Sequence, residues 1–454
     1  MIRHLLLGRL IASVPLLVLS SPLFAADVDF TPHADLRLSE IYYPDNVSPV
    51  VNQTFEMANL QLPTELRWGS AFSFRLRPEL QADPWNNSIT ERYWAELPEG
   101  YLQIKPLSQG SSTLSVQAGF NTFSWGVTDG FNPLDVVSAR RFEDPVSPEK
   151  LGAPSIALHA ELPGGTLSFD GIYIPRQRRA ILPGNKSRWL PREQFQSQSE
   201  TVNNVTNTFL LPNTTDYYYQ DSNILDQALQ NNFGFKGEAH LPSVDLSMVF
   251  FEGEASLPVT DISASGNVIA LTPTSSISLA NPDIGITPVY YRQIVTGGSV
   301  VYTLGEFIFR AEAAFTRLIS KELNLGLPGL SNEYVGEVEH AFAVGAGTLT
   351  AFAEGTYAQH QEVIDPSFVS LARIFDRAVA LGARYAPNET FLASALLLED
   401  TEFHGNLVHL DLSDSLSDSI RVSGTGEIIT GKDGTPTGNY RYNSRALVSL
   451  KYSM

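Results

Sequence analysis

Cysteine is absent from the 454 residues, which excludes disulfide staples and thiolate metal centres. Basic residues are scarce, 30 Lys+Arg against 49 Asp+Glu. Nucleic acid is therefore not an expected partner, because phosphate binding needs clustered cations. Long apolar runs are also lacking. Arg3, His4 and Arg9 precede one short run from Leu10 to Leu19, and small residues follow around Ala25 and Ala26, the pattern of a cleaved secretory signal over 1–26. Downstream there is no further apolar stretch of about 18 residues, the length a membrane helix needs. Removing Arg3 and Arg9 leaves 28 basic against 49 acidic residues, a net charge of −21. An exported chain of this length without disulfides must take its stability from a large sheet or core, and its lack of cysteine suits a bacterial envelope protein.

What the mature chain has instead is a two-residue alternation in blocks of about ten, enough for a tilted strand to cross a bilayer. Phe72, Phe74, Leu76 and Leu80 oppose Ser73, Arg75, Arg77 and Glu79. Phe307, Phe309, Ala311, Ala313 and Phe315 oppose Ile308, Arg310, Glu312 and Thr316. In the last block Tyr440, Tyr442, Ala446, Val448, Leu450, Tyr452 and Met454 oppose Arg441, Asn443, Arg445, Ser449, Lys451 and Ser453. Strands are expected near 28–42, 55–67, 70–82, 91–105, 112–122, 153–162, 165–175, 231–241, 244–254, 288–303, 305–318, 333–344, 347–360, 371–386, 389–401, 405–413, 417–430 and 439–454. Short turns such as "WG", "LPGG" and "GAG" alternate with long polar loops. A soluble sandwich has no reason to put every long loop at one end, whereas an outer-membrane barrel has short periplasmic turns and long extracellular loops. The fold expected is an all-β transmembrane antiparallel barrel of about 18 strands, with 14 or 16 as alternatives, in one domain over 27–454. Aromatic residues near strand ends, among them Tyr42, Trp68, Trp85, Tyr93 and Tyr385, suit the headgroup level.

Two stretches resemble known proteins. The alternate apolar residues Val448, Leu450, Tyr452 and Met454 resemble the terminal-strand signal of Gram-negative outer-membrane proteins, with Met454 in place of the usual Phe, and imply recognition by the barrel-assembly machinery. The stretch "FSWGVTDGFNPLDV" (123–136) resembles the Trp-Gly, Asp, Asn-Pro, Asp pattern, WGxxDxxNPxD, of several porin-like outer-membrane barrel families. That resemblance implies a pore or export barrel and names no solute.

The segment 123–152 has neither helical nor strand periodicity. Its Asp129 and Asp135 can bond their own turns, Gly126 and Gly130 permit positive φ, and Pro133 fixes a bend. Arg140 and Arg141 offer guanidinium forks to wall carboxylates or to an anionic solute. Two geometries stay open: a loop braced at the rim, or a constriction folded into the lumen. Alternation points Arg37, Arg67, Arg75, Arg77, Arg92, Arg310, Arg421, Arg441 and Arg445 inward with Asp35, Glu65, Glu79, Glu96, Glu312, Glu337, Glu339, Glu354 and Glu427. At the bilayer midplane a lipid-facing Arg costs about 2–4 kcal/mol. The candidates for solute contact are Arg75, Arg77, Asp129, Asp135, Arg140, Arg141, Arg310 and Glu312. Arg176, Arg178, Arg179, Lys186, Arg188 and Arg192, in a run without an intervening acid, are candidates for lipopolysaccharide phosphate.

No enzyme pattern emerges, since the GxSxG, HExxH and P-loop patterns are all absent. His404 and His409, five apart, would face opposite sides of a strand, so no metal or cofactor is expected. The function expected is an outer-membrane channel for passive or weakly selective passage of small polar solutes, placed among outer-membrane lipid and lipopolysaccharide. The alternatives are a structural or binding barrel with a loop-closed lumen, and an export barrel for a lipid or polysaccharide.

Overall fold

The computed structural model describes residues 28–46, 52–84, 92–109, 112–185, 187–190, 197–202, 205–210, 216–271, 276–319, 330–360, 368–370, 375–432, 435 and 437–454. The alternation builds one closed ring of eighteen antiparallel strands. In chain order they are β1 (Val28–Pro32 continued by Asp35–Tyr42), β2 (Thr54–Gln61 continued by Thr64–Trp68), β3 (Phe72–Ala82), β4 (Tyr93–Gln109), β5 (Ser112–Asn121) and β6 (Ala153–Glu161). Next come β7 (Leu167–Arg176), β8 (Gln230–Leu241), β9 (Val244–Glu254), β10 (Arg292–Leu304), β11 (Phe307–Leu318) and β12 (Leu330–Val344). The ring is completed by β13 (Gly347–His360), β14 (Arg377–Ala386), β15 (Phe391–Asp400), β16 (Asn406–Ser415), β17 (Ile420–Thr430) and β18 (Arg445–Ser453). Each pairs with its neighbours in sequence, and β18 pairs back onto β1 with Leu450 opposite Leu38. Closure leaves no open sheet edge to face hydrocarbon.

The two faces of the wall differ as the sequence pattern requires. Phe72, Phe74, Phe309, Phe315, Leu381 and Leu450 are exposed on the outside, while Ser39, Glu79, Glu312, Glu337, Glu354 and Glu427 on the opposite face are buried. An apolar outer surface of this extent is a membrane surface rather than a solvated one.

Three boundaries depart from expectation. The block at 439–454 opens with a 3-10 turn, Gly438–Asn443, so Tyr440, Arg441 and Tyr442 are not on a strand and β18 begins at Arg445. Residues 276–290 belong to a separate sheet, and β10 begins only at Arg292. β14 likewise begins at Arg377 rather than near 371. The separate sheet has seven strands from three long-loop segments, including Ser197–Val202, Val205–Leu210, Val259–Leu271 and Phe368–Ser370, and Ser276–Tyr290 takes parallel partners within it. Nothing in the local pattern marked it. Residues 1–26, the expected signal, lie outside the described residues.

Candidate functional site

Residues 122–152, between β5 and β6, fold across the inside of the barrel. The reach is recorded by backbone amides that meet carboxylates on distant strands. Glu312 of β11 accepts hydrogen bonds from the Val127 amide, the Thr128 amide (2.8 Å) and hydroxyl (2.9 Å), and the Leu134 amide (3.3 Å). Glu337 of β12 accepts from the Asp129 amide at 2.9 Å. Glu354 of β13 takes the Gly130 amide at 2.8 Å and the Phe131 amide at 2.5 Å. Arg384 of β14 closes the row by donating to the Asp129 carboxylate at 2.6 Å.

Wall carboxylates thus supply the acceptors that an irregular, buried backbone cannot find in itself. An apolar cluster holds the loop beside them. Trp125, Leu134 and Val137 pack with Ile172, Ile174, Val249, Phe251, Val295 and Ala314 of β7, β9, β10 and β11. Glycines on the wall make room for the loop. A Cβ at Gly234 would lie 2.5 Å from the Trp125 ring, and one at Gly297 would lie 2.6 Å from Leu134.

Inside the loop, Gly126 is fixed by contact. A Cβ there would fall 1.5 Å from Asn132 Oδ1, so the Trp-Gly step and the Asn-Pro step of the motif close on one another. Gly126→Ala is expected to destabilise the loop by about 1–3 kcal/mol, the usual cost of overpacking. Limited proteolysis of the folded barrel checks it, the expected outcome being faster cleavage within 122–152.

The loop's far limb is anchored on the other side of the ring. Arg445 of β18 bonds Asp144 at 2.6 Å and Glu427 of β17 at 2.5 Å, and Glu427 also meets His409 Nδ1 of β16 at 3.0 Å. His404 lies in the turn before β16 and joins none of this.

The arginine pair is placed differently from a solute-facing fork. Arg141 lies 3.6 Å from the centroid of the Trp94 ring, is buried, and pairs with Glu149 at 3.2 Å. Arg140 bonds Asp135 at 2.8 Å, and Lys150 holds the same carboxylate at 2.8 Å. Arg140, Arg141 and Asp135 therefore fasten the loop to itself and to β4. Of the other candidates, Arg310 is taken up by Glu337 and by Glu339 at 3.2 Å, and Glu312 by the loop amides. Arg75 and Arg77 approach Glu99 at 3.4 and 3.8 Å, with 47% of the Arg75 side chain open to solvent. Arg384 is as open, at 48%.

Asp129, Glu337 and Glu339 bring three carboxylates together. Arg384 and Arg310 already sit on them, so the group is an ion-pair network.

The basic run after β7 divides. Arg178 makes a two-pronged pair with Glu96 of β4, and Arg188 is buried, donating to the carbonyls of Asp45 (2.6 Å) and Tyr442 (2.7 Å) beneath the Tyr43 ring. Burial pushes the Arg188 guanidinium below its ordinary value. These two are engaged within the molecule. Arg176 and Arg179 are exposed, and Lys186 and Arg192 lie outside the described residues.

No family model and no curated protein matches the chain. Its likenesses are to solved barrels. Pseudomonas aeruginosa OpdO is 14% identical with a TM-score of 0.47, covering 94% of this chain and 97% of its own. OccK2 (OpdF) of the same organism is 10% identical with a TM-score of 0.48, covering 94% and 98%. A mutant of the Rh. blastica porin is 10% identical with a TM-score of 0.40, covering 94% and 100%. The fold described above rests on its own closed strand pairing.

Proposed function

We propose that the chain is a Gram-negative outer-membrane channel, not an enzyme, through which small polar solutes diffuse past a rigid constriction loop. The observation that carries this reading is that Arg37, Arg75 and Arg384, all on the inner wall, stay exposed although loop 122–152 crosses the same space. Water therefore stands beside the loop. A constriction lined by fixed charges selects by size and by sign. Arg75 and Arg384 are the two inner-wall cations best placed to meet a passing solute, with Asp129, about a third exposed, beside Arg384.

Single-channel recording in planar bilayers tests the reading, and a folded barrel that carries no current would sink it. Arg75→Ala with Arg77→Ala leaves Glu99 without its cations. The reversal potential should then move toward cation preference by roughly a few-fold in permeability ratio, since a unit charge at 4 Å in water is worth about 1 kcal/mol. An unchanged reversal potential removes both residues from the selectivity claim.

Arg176 and Arg179, at the long-loop end, are the members of the basic run left to meet lipopolysaccharide phosphates, and β18 is the segment offered to the assembly machinery. The runner-up is a barrel whose lumen is closed by its long loops. What favours it is the amount of strand structure that those loops themselves form.

A further inference from the structure

We propose that the recess beneath the start of loop 122–152 is a binding subsite for a neutral, hydroxyl-rich solute of about hexose size. The proposal rests on the channel reading and adds a solute class to it. The recess has a volume of about 330 Å³ and lies between Phe123 and Trp125 of the loop and the inner wall of β4–β8. That is the lower end of the ~300–1,000 Å³ range of small-molecule sites.

Its wall is a row of inward side chains in neighbouring register: Gln103 opposite Gln117, then His159 opposite Asp170, then Asp170 opposite Lys236. The ionisable groups in this row already face partners. His159 Nδ1 meets Asp170 at 2.7 Å, and Lys236 Nζ meets Glu238 at 2.7 Å with only 10% of its side chain exposed. A free anion entering here would face Asp170, and a free cation would face Lys236. Neither finds an unclaimed partner.

Hydrogen-bonding capacity remains. The Gln117 side chain has no hydrogen-bond partner among the described residues, so its carboxamide offers two donors and an acceptor. His159 Nε2 and the second Asp170 carboxylate oxygen are left over by the His159–Asp170 contact and are open to a ligand hydroxyl. Hydroxyl groups both donate and accept, and the apolar faces of a sugar ring suit the aromatic side of the recess. A polyol meets these requirements without bringing a charge.

The test uses the full chain in detergent, with intrinsic tryptophan fluorescence as readout because Trp125 lines the recess. Glucose, glucuronate and glucosamine carry similar hydroxyl sets on the same ring with neutral, negative and positive charge. The expected result is a saturable response to glucose, with affinity at least about tenfold weaker for each charged analogue. Gln117→Ala and His159→Ala should each weaken glucose binding by about tenfold, the loss of roughly one hydrogen bond. Absence of a saturable glucose response, tighter binding of either charged analogue, or unchanged affinity in both folded variants would overturn the proposal. The charge series needs only the unaltered chain, so it stands even where a variant fails to fold. Conductance of the same preparation separates the two readings: current without glucose binding removes the subsite and leaves the channel, and glucose binding without current does the reverse.

Discussion

Glu312→Gln is expected to raise single-channel conductance severalfold and to add open-channel flicker. The Glu312 carboxylate faces four donors from the loop, the amides of Val127, Thr128 and Leu134 and the Thr128 hydroxyl. Three of these donors converge on Oε1 and the Leu134 amide meets Oε2, and a carboxylate brings no donor of its own. Glutamine keeps one acceptor oxygen, for the Oε1 donors, and turns an NH₂ toward the Leu134 amide N–H, which is repulsive. Hydrogen bonds to charged groups contribute about 1.5–3 kcal/mol each, so losing the Leu134 bond removes roughly 1.5–3 kcal/mol of anchoring, and the loss of charge weakens the other three. Glu354→Gln should act in the same direction through Gly130 and Phe131, and the double variant should exceed either single one. Planar-bilayer recording of barrels verified as folded by heat-modifiable migration is the measurement. Wild-type conductance in the folded double variant would mean that loop 122–152 does not limit the passage.

Arg445→Met is expected to be the most destabilising single change in the wall. The Arg445 and Glu427 side chains are 6% and 2% exposed, and Arg445 also holds Asp144 of the loop. Methionine keeps most of the volume but leaves two carboxylates without their cation. Breaking a buried pair from one side costs about 3–5 kcal/mol, whereas removing both partners can be nearly neutral. The midpoint of heat-induced loss of the folded form should therefore fall sharply for Arg445→Met. Most of it should return when Glu427→Gln and Asp144→Asn are added. A single variant as stable as the parent would show that the cluster is dispensable.

The wall was legible in the sequence because its physics is local. An inward Glu312 flanked by outward Ala311 and Ala313 is fixed by a period of two, and the same rule runs around the ring except where register shifts interrupt it in β4. Arg384 obeys it too, sharing a face with Ala380 and Gly382, yet those small neighbours make no charged pattern to draw attention. Partnership was not legible. Arg141 carries the right chemistry for an anionic solute, but whether it meets one depends on Trp94 and Glu96, a strand and a turn away in sequence. Arg178 and Arg188 read as a free basic run because Glu96, Asp45 and Tyr442 are distant along the chain. Loop 122–152 stayed ambiguous for a related reason: its acceptors lie about 180 to 220 residues away, beyond any local rule. The separate sheet joins segments from three loops, two of them by parallel pairing and the third, Phe368–Ser370, by an antiparallel one, and short-range alternation offers no register between segments so far apart.

The pairing of β18 with β1 also says something about time. Asp35 to Tyr42 find their partners among Ala446 to Ser453, more than four hundred residues later in the chain. Until those last residues arrive, the sheet has two unpaired edges whatever else has formed, and such edges invite pairing with other chains. A chain shortened by that one strand would lose more than an eighteenth of its wall. It would lose the contact that turns a strip into a ring, so the whole sequence must be delivered and its edges shielded before any part of the barrel can be finished.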